Sequence, residues 1–298
     1  MPSKCWALCL AWSLSGIVVV GCAPSEEGTT GIRVDGSDTM VNLAQAWAEI
    51  YHKKRPDVSV QVLGSGSGVG IASLTDGNCD LANSSRRMTE KELGRIRDKH
   101  QMEAKEHIVG YDALAVYVHP ANTIDSISVD ELKEIYGKDG TTTTWSQLGF
   151  TNPLADKIIR ISRQNSSGTY AYFRNAVLGK GNDYKLGSID ANGSKDVVAL
   201  VSRTPTAVGY SGMGYQTPDV KALKISKKKG TTGAAPTAEN ARKGDYPITR
   251  PLLIYTLGEP TGPVKEYLDW IFSPEGQAIV EQLGYVSLGP VSGNHDAR

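Results

Sequence analysis

Three observations predict an α/β protein. A β-type run, a polar glycine-rich turn and a helical pattern follow one another at three separate places. The composition, 40% hydrophobic and 21% charged, is that of an ordinary globular chain rather than a disordered or fibrous one. The 298 residues suffice for one large domain or two modest ones, each with its own core. The charge balance is even, 32 basic against 32 acidic residues, so no surplus of Lys and Arg exists to neutralise a nucleic-acid backbone.

The chain starts with a segment that stands apart from the fold. One lysine, Lys4, precedes an apolar run over residues 5–20, which is shorter than the ~20 residues a spanning helix needs. Val19-Val20-Gly21-Cys22 then resembles the lipobox of bacterial lipoproteins, with Cys22 as the lipidated first residue of the mature chain and residues 1–21 as its signal peptide. Residues 22–31 have no apolar periodicity and read as a flexible tether. Cys5 and Cys9 leave with the signal, so Cys79 has no internal disulfide partner and reads as a small buried apolar residue.

The first copy of the pattern is Ile32-Arg33-Val34-Asp35, the turn Gly36-Ser37-Asp38-Thr39, and a helical spacing through Leu43, Trp47, Ile50 and Tyr51. In the second, residues 58–63 precede the turn Gly64-Ser65-Gly66-Ser67-Gly68 and a helical run from Val69. The third joins Ile158-Ile159-Arg160-Ile161 to a turn over residues 162–169 and a helical pattern through Tyr170, Phe173 and Val177. Each turn places hydroxyls and free N–H groups at a helix start, where orphan donors and the helix dipole favour an anion. Ser, Thr, Asp and Gly are also ordinary helix caps, as Thr89-Glu90-Lys91-Glu92 and Ser128-Val129-Asp130-Glu131 illustrate. What sets the three turns apart is their glycine, which permits close backbone approach. A fourth polar turn, Asn83-Ser84-Ser85-Arg86, is a candidate to join them.

Rival motifs fail. Residues 64–70 lack the G-x-G-x-x-G spacing, and no G-x-x-x-x-G-K-[ST] occurs. Gly209-Tyr210-Ser211-Gly212-Met213 misses the last glycine of a hydrolase elbow. The five histidines are scattered, so neither a metal site nor a catalytic base is signalled. No cofactor, metal or enzyme activity is expected.

Across nearly all of residues 32–289 the sequence resembles the periplasmic phosphate-binding proteins of ABC transporters, the PstS-like solute-binding family. The resemblance rests on residues 36–40, the loop 64–70, residues 80–86, Ser162-Arg163 through Ser167-Gly168-Thr169, residues 245–252, and residues 273–277 through Gly284-Tyr285-Val286. It implies a two-lobe α/β fold with the anion between the lobes and two hinge strands. Those strands are placed near residues 111–117 and 250–255, giving lobe I as 32–112 with 255–289, lobe II as 113–254, and a tail over 290–298.

Residue by residue, the resemblance assigns a hydroxyl and a backbone N–H to Thr39 and Met40. A serine hydroxyl falls on Ser67, with Ser65 the second choice. Arg163, Ser167, Gly168 and Thr169 supply the third loop's donors. Such a set, one guanidinium fork with many neutral donors, suits a buried oxyanion. Two departures stand out. Ser85 occupies the place where well-known members carry the Asp that accepts the proton of hydrogen phosphate. Asp38 is the nearest replacement acceptor, its other reading being a helix cap. Asn165 replaces an acid that pairs with the site arginine, so Arg163 is expected to carry a less compensated charge.

The expected function is extracytoplasmic binding of inorganic phosphate and its delivery to ABC transporter permease subunits by a monomer held at a bacterial membrane through its N-terminal lipid. The alternatives are another tetrahedral oxyanion, or a phosphate-sensing or phosphatase-like protein on the same scaffold.

Overall fold

The computed structural model describes residues 29–150 and 155–289. The signal segment, Cys22 and the tail from residue 290 lie outside the described residues. Strands and helices alternate through β1 (Thr30–Gly36), α1 (Val41–Lys54), β2 (Val58–Val62), α2 (Ser67–Asp76), β3 (Leu81–Ser84) and α3 (Glu90–His100). The long β4 (Ala104–Val118) leads to β5 (Ser126–Ser128), α4 (Val129–Tyr136), β6 (Ile159–Arg163), α5 (Gly168–Phe173), β7 (Ile189–Ala191), α6 (Ser194–Arg203) and β8 (Ala207–Gly212). After β9 (Lys221–Ala222), β10 (Lys224–Ser226) and α7 (Ala238–Lys243), the chain returns through β11 (Thr249–Leu257) and closes with α8 (Gly262–Phe272) and α9 (Pro274–Gln282).

The main sheet runs β2-β1-β3-β11-β4-β8-β6-β7, with β9 added to β4. β1, β2 and β3 are parallel, as are β6, β7 and β8, and each parallel set is one lobe's sheet. β4 joins them: residues 104–113 pair antiparallel with β11, and residues 114–118 pair antiparallel with β8. The change of partner falls inside the apolar run 111–117.

Side chains alternate across this sheet with the period of two that a strand imposes. Along β11, Leu252 and Ile254 enter a core with Trp47, Tyr51 and Leu268, while Leu253 and Tyr255 enter another with Ile71, Leu74 and Ile96. Beyond the junction, Leu114, Val116 and Val118 pack with Ile135, Trp145 and Tyr210, whereas Ala115 and Tyr117 face Ile161, Val197 and Val201. Strands covered on both faces in this way read as continuous apolar runs, as parallel sheets do. Cys79 is buried, and burial pushes its thiol up to about 11.

The capping boxes expected at Thr89/Glu92 and Ser128/Glu131 are both formed. The glycine-rich turns follow the C-terminal ends of the parallel strands β1, β2 and β6, the side on which open α/β sheets hold ligands. Gly70 has no room for a side chain: a Cβ there would stand 2.3 Å from the Cα of Gly36, so α2 packs directly on the end of β1.

Candidate functional site

Four polar turns meet between the lobes. Thr39 follows β1, Ser67 opens α2, Ser85 follows β3 and Thr169 lies in the first turn of α5; each is at most 1% exposed. Thr39 Oγ1 and Thr169 Oγ1, from opposite lobes, are 2.9 Å apart. Ser67 Oγ accepts the Ser85 N–H at 3.1 Å and lies 3.4 Å from the Ser85 hydroxyl. Gly168 sits against this pair, where a Cβ would come within 2.2 Å of Ser67 Oγ and 2.6 Å of Ser85 Oγ. The lobes also touch through backbone, since the Gly68 N–H donates to the Ser166 carbonyl at 2.9 Å. Gly66, at φ +105°, approaches the same residue; a Cβ there would lie 3.0 Å from Ser166 O.

Ser167 caps α5, its hydroxyl oxygen accepting from the N–H groups of Thr169 and Tyr170. Ser65 turns away from the cluster and donates its hydroxyl to Asp35. Met40 is fully buried in the core that holds Leu43 and Trp47, and its N–H donates to the Ser37 carbonyl at 3.0 Å. The Thr39 and Asp38 carbonyls are held by the hydroxyls of Tyr285 and Tyr215 at 2.6 and 2.8 Å.

Arg163, 1% exposed, ends β6. Its Nη1 donates to Ser194 Oγ at 3.0 Å, and Nη2 donates to the Asn192 carbonyl at 3.1 Å and to Asp38 Oδ2 at 3.2 Å. Its Nε is buried without a protein acceptor among the described residues. Burial lowers the proton affinity of this guanidinium, Asp38 opposes that effect, and the nearby charge of Arg250 reinforces it. The expectation of an under-compensated Arg163 is therefore corrected: Asn165 does not pair with it, but Asp38 does. Nor does Asp38 cap its own helix. Its Oδ2 instead accepts the Ser194 N–H at 2.6 Å, at the positive end of α6 in the other lobe.

Sequence reasoning missed Arg250 and Asp112. Both are completely buried, and they face each other across β4 and β11. Asp112 Oδ2 accepts from Arg250 Nε at 3.0 Å and Nη2 at 2.8 Å, while Oδ1 accepts the Met213 N–H at 3.0 Å. Arg250 Nη1 donates to Thr169 Oγ1 at 2.9 Å and to the Ser85 carbonyl at 3.4 Å; Nη2 reaches Thr39 Oγ1 at 3.4 Å. The signal was present: a single acid and a single base, each inside an apolar strand run, need each other once buried. Buried hydroxyls thus meet between the lobes, with Arg250 donating to those of Thr39 and Thr169 and Arg163 reaching Asp38 in the turn beside Thr39. Among the described residues no group of His, Cys, Asp and Glu is placed to hold a metal.

A family model described as a PBP superfamily domain matches residues 23–275. The Phosphate-binding protein PstS of Pseudomonas aeruginosa is 34% identical over 264 residues, which cover 85% of this chain and 81% of that protein. The chain belongs to the PstS family. Its PstS-family counterpart in Bacillus subtilis is also 34% identical, over 92% of this chain and 87% of that one. Among solved structures, a phosphate ABC transporter substrate-binding protein with bound phosphate from Clostridium perfringens superposes with a TM-score of 0.78 at 28% identity, covering 87% of this chain and all of that one. An ABC-type phosphate transport receptor from Vibrio cholerae gives 0.68 at 28% identity, covering 86% and 99%. The two-lobe fold expected of a PstS-family chain is the fold observed.

Proposed function

We propose that this chain binds one inorganic phosphate between its lobes, outside the cytoplasm, and delivers it to the permease of an ABC transporter. The observation that carries this reading is that the Thr39, Ser67, Ser85 and Thr169 hydroxyls are buried together between the lobes, with Arg250 holding those of Thr39 and Thr169 and the Arg163 guanidinium held beside the same turn by Asp38. An oxyanion supplies acceptors to such donors, including the unpaired Arg163 Nε, and each charge-assisted bond contributes about 1.5–3 kcal/mol. Phosphate, rather than another tetrahedral anion, is favoured by the names of the relatives and by the phosphate bound in the Clostridium perfringens structure.

Lobe I comprises residues 32–112 and 255–289 in this reading, and lobe II residues 113–254. Thr39, Met40, Ser67, Ser85, Arg163, Ser167, Gly168 and Thr169 line the phosphate site. Cys22 carries the lipid that holds a monomeric binding protein at the membrane. The protein is a carrier and performs no turnover.

Calorimetric titration with phosphate, sulfate, arsenate and molybdate tests the reading. One phosphate per chain at micromolar affinity or tighter, about −8 kcal/mol, is expected. Tighter binding of another oxyanion would replace phosphate as the ligand, and turnover of an aryl phosphate would replace the carrier with an enzyme.

A further inference from the structure

A threonine hydroxyl carries one hydrogen and two lone pairs, so what it offers a ligand depends on what its protein neighbours already take. A guanidinium can only donate. The oxygens of Thr169 and Thr39 that face Arg250 Nη1 and Nη2 must therefore accept, at 2.9 and 3.4 Å. The same constraint acts on Ser67, whose oxygen accepts the Ser85 N–H, and on Ser167, whose oxygen accepts the Thr169 and Tyr170 N–H groups. With a fixed donor on each of these oxygens, its hydrogen points away from that donor; one of the two threonine hydrogens is spent here on the 2.9 Å Thr39–Thr169 contact, which an anion entering between them takes over.

For Thr39 and Thr169 that donor is Arg250, and Arg250 is itself immobilised. Asp112 grips it through two nitrogens, directly across the β4–β11 pair, and the Tyr172 ring lies 5.7 Å from its guanidinium carbon. These are the two strands that run between the lobes, yet the guanidinium reaches Thr39 and the Ser85 carbonyl on one lobe and Thr169 on the other. Its charge is met by a carboxylate at 2.8 Å, so its value to the site is directional more than coulombic.

We infer that Arg250, clamped by Asp112, is a positioning residue of the oxyanion site: by donating to the Thr39 and Thr169 oxygens it turns their hydrogens away from itself, so that both donate to an anion that displaces the Thr39–Thr169 contact. The inference rests on the phosphate reading above. It assigns to the hinge strands a part in recognition besides their part in joining the lobes.

A double-mutant cycle on ligand affinity tests it, because an effect transmitted through a hydroxyl vanishes when that hydroxyl is gone. The background variant combines Arg250→Met with Asp112→Asn, which removes both buried charges together, keeps an acceptor for the Met213 N–H and fills the space of the arginine stem. Phosphate titrations of the full chain, of Thr169→Val, of the paired variant and of their combination are compared, with urea unfolding of each to register its fold. The paired variant is expected to lose at least tenfold in phosphate affinity. Thr169→Val, costing about tenfold in the parent, is expected to cost less than twofold in the paired background. Equal costs in both backgrounds, or parental affinity in the folded paired variant, would overturn the inference. Should the paired variant not fold, Arg250→Lys serves as the background: it keeps the charge against Asp112 but loses the fork, and the same loss of coupling is expected. A parent chain that takes up no phosphate overturns the phosphate reading itself, which is a distinct result.

Discussion

The Asp38 carboxylate stands 3.2 Å from the Arg163 guanidinium although the two residues are 125 positions apart. One comes from the turn after β1 and the other from the end of β6, so the pair spans the two lobes. It also answers how an arginine that is 1% exposed is tolerated: a buried charge requires a partner, and the partner is brought by the fold rather than by the neighbouring sequence.

Asp38→Asn tests whether this carboxylate is a counter-ion or accepts the proton of the ligand. As a counter-ion its loss should lower stability by about 1.5–3 kcal/mol, the range for a hydrogen bond to a charged group. The preference for phosphate over sulfate should then change less than threefold. Titrations with both anions check this, and a preference that collapses or inverts would instead make Asp38 the proton acceptor.

Arg163→Ala removes a buried guanidinium and leaves Asp38 Oδ2, among the described residues, with the Ser194 N–H alone. Phosphate affinity should fall by roughly tenfold to a hundredfold, equivalent to about 1.5–3 kcal/mol. Calorimetry of the folded variant measures it, and an unchanged isotherm would remove Arg163 from the site.

Gly168→Ala places a methyl group within 2.2 Å of Ser67 Oγ across the interface between the lobes. Neither lobe's own core is touched, so thermal stability should change little while phosphate affinity falls at least tenfold. Because a ligand shifts a two-state equilibrium only through its differential affinity, closure should weaken with it. Small-angle scattering of the parent should give a smaller radius of gyration with phosphate than without, and the variant should show a reduced change. Full contraction of the variant would mean that Gly168 is not at a closing surface.

Cys22→Ser should transfer the protein from the membrane fraction to the soluble fraction with phosphate binding intact, because stable anchoring depends on acyl chains. Fractionation and titration of the released protein decide this, and retention at the membrane would place the anchor elsewhere.

Much of this protein was decided locally and so was legible in its sequence. Period-two apolar runs, helical spacings, the capping boxes at Thr89 and Ser128 and the glycine-rich turns after β1, β2 and β6 depend on near neighbours and on backbone sterics. Their order implied the α/β class, and the turns marked where an anion could meet a helix start; that Thr39, Ser67 and Thr169 were the hydroxyls to name came from the resemblance to the phosphate-binding family. Pairings across the cleft were of another kind. That Asp38 would compensate Arg163, that Ser65 would turn to Asp35, and that Arg250 and Asp112 would meet beneath the threonines follow from where β1, β4, β6 and β11 are laid beside each other. A buried charge announces in sequence that it needs a partner; which partner it finds is set by strand order and register, which only the folded chain possesses.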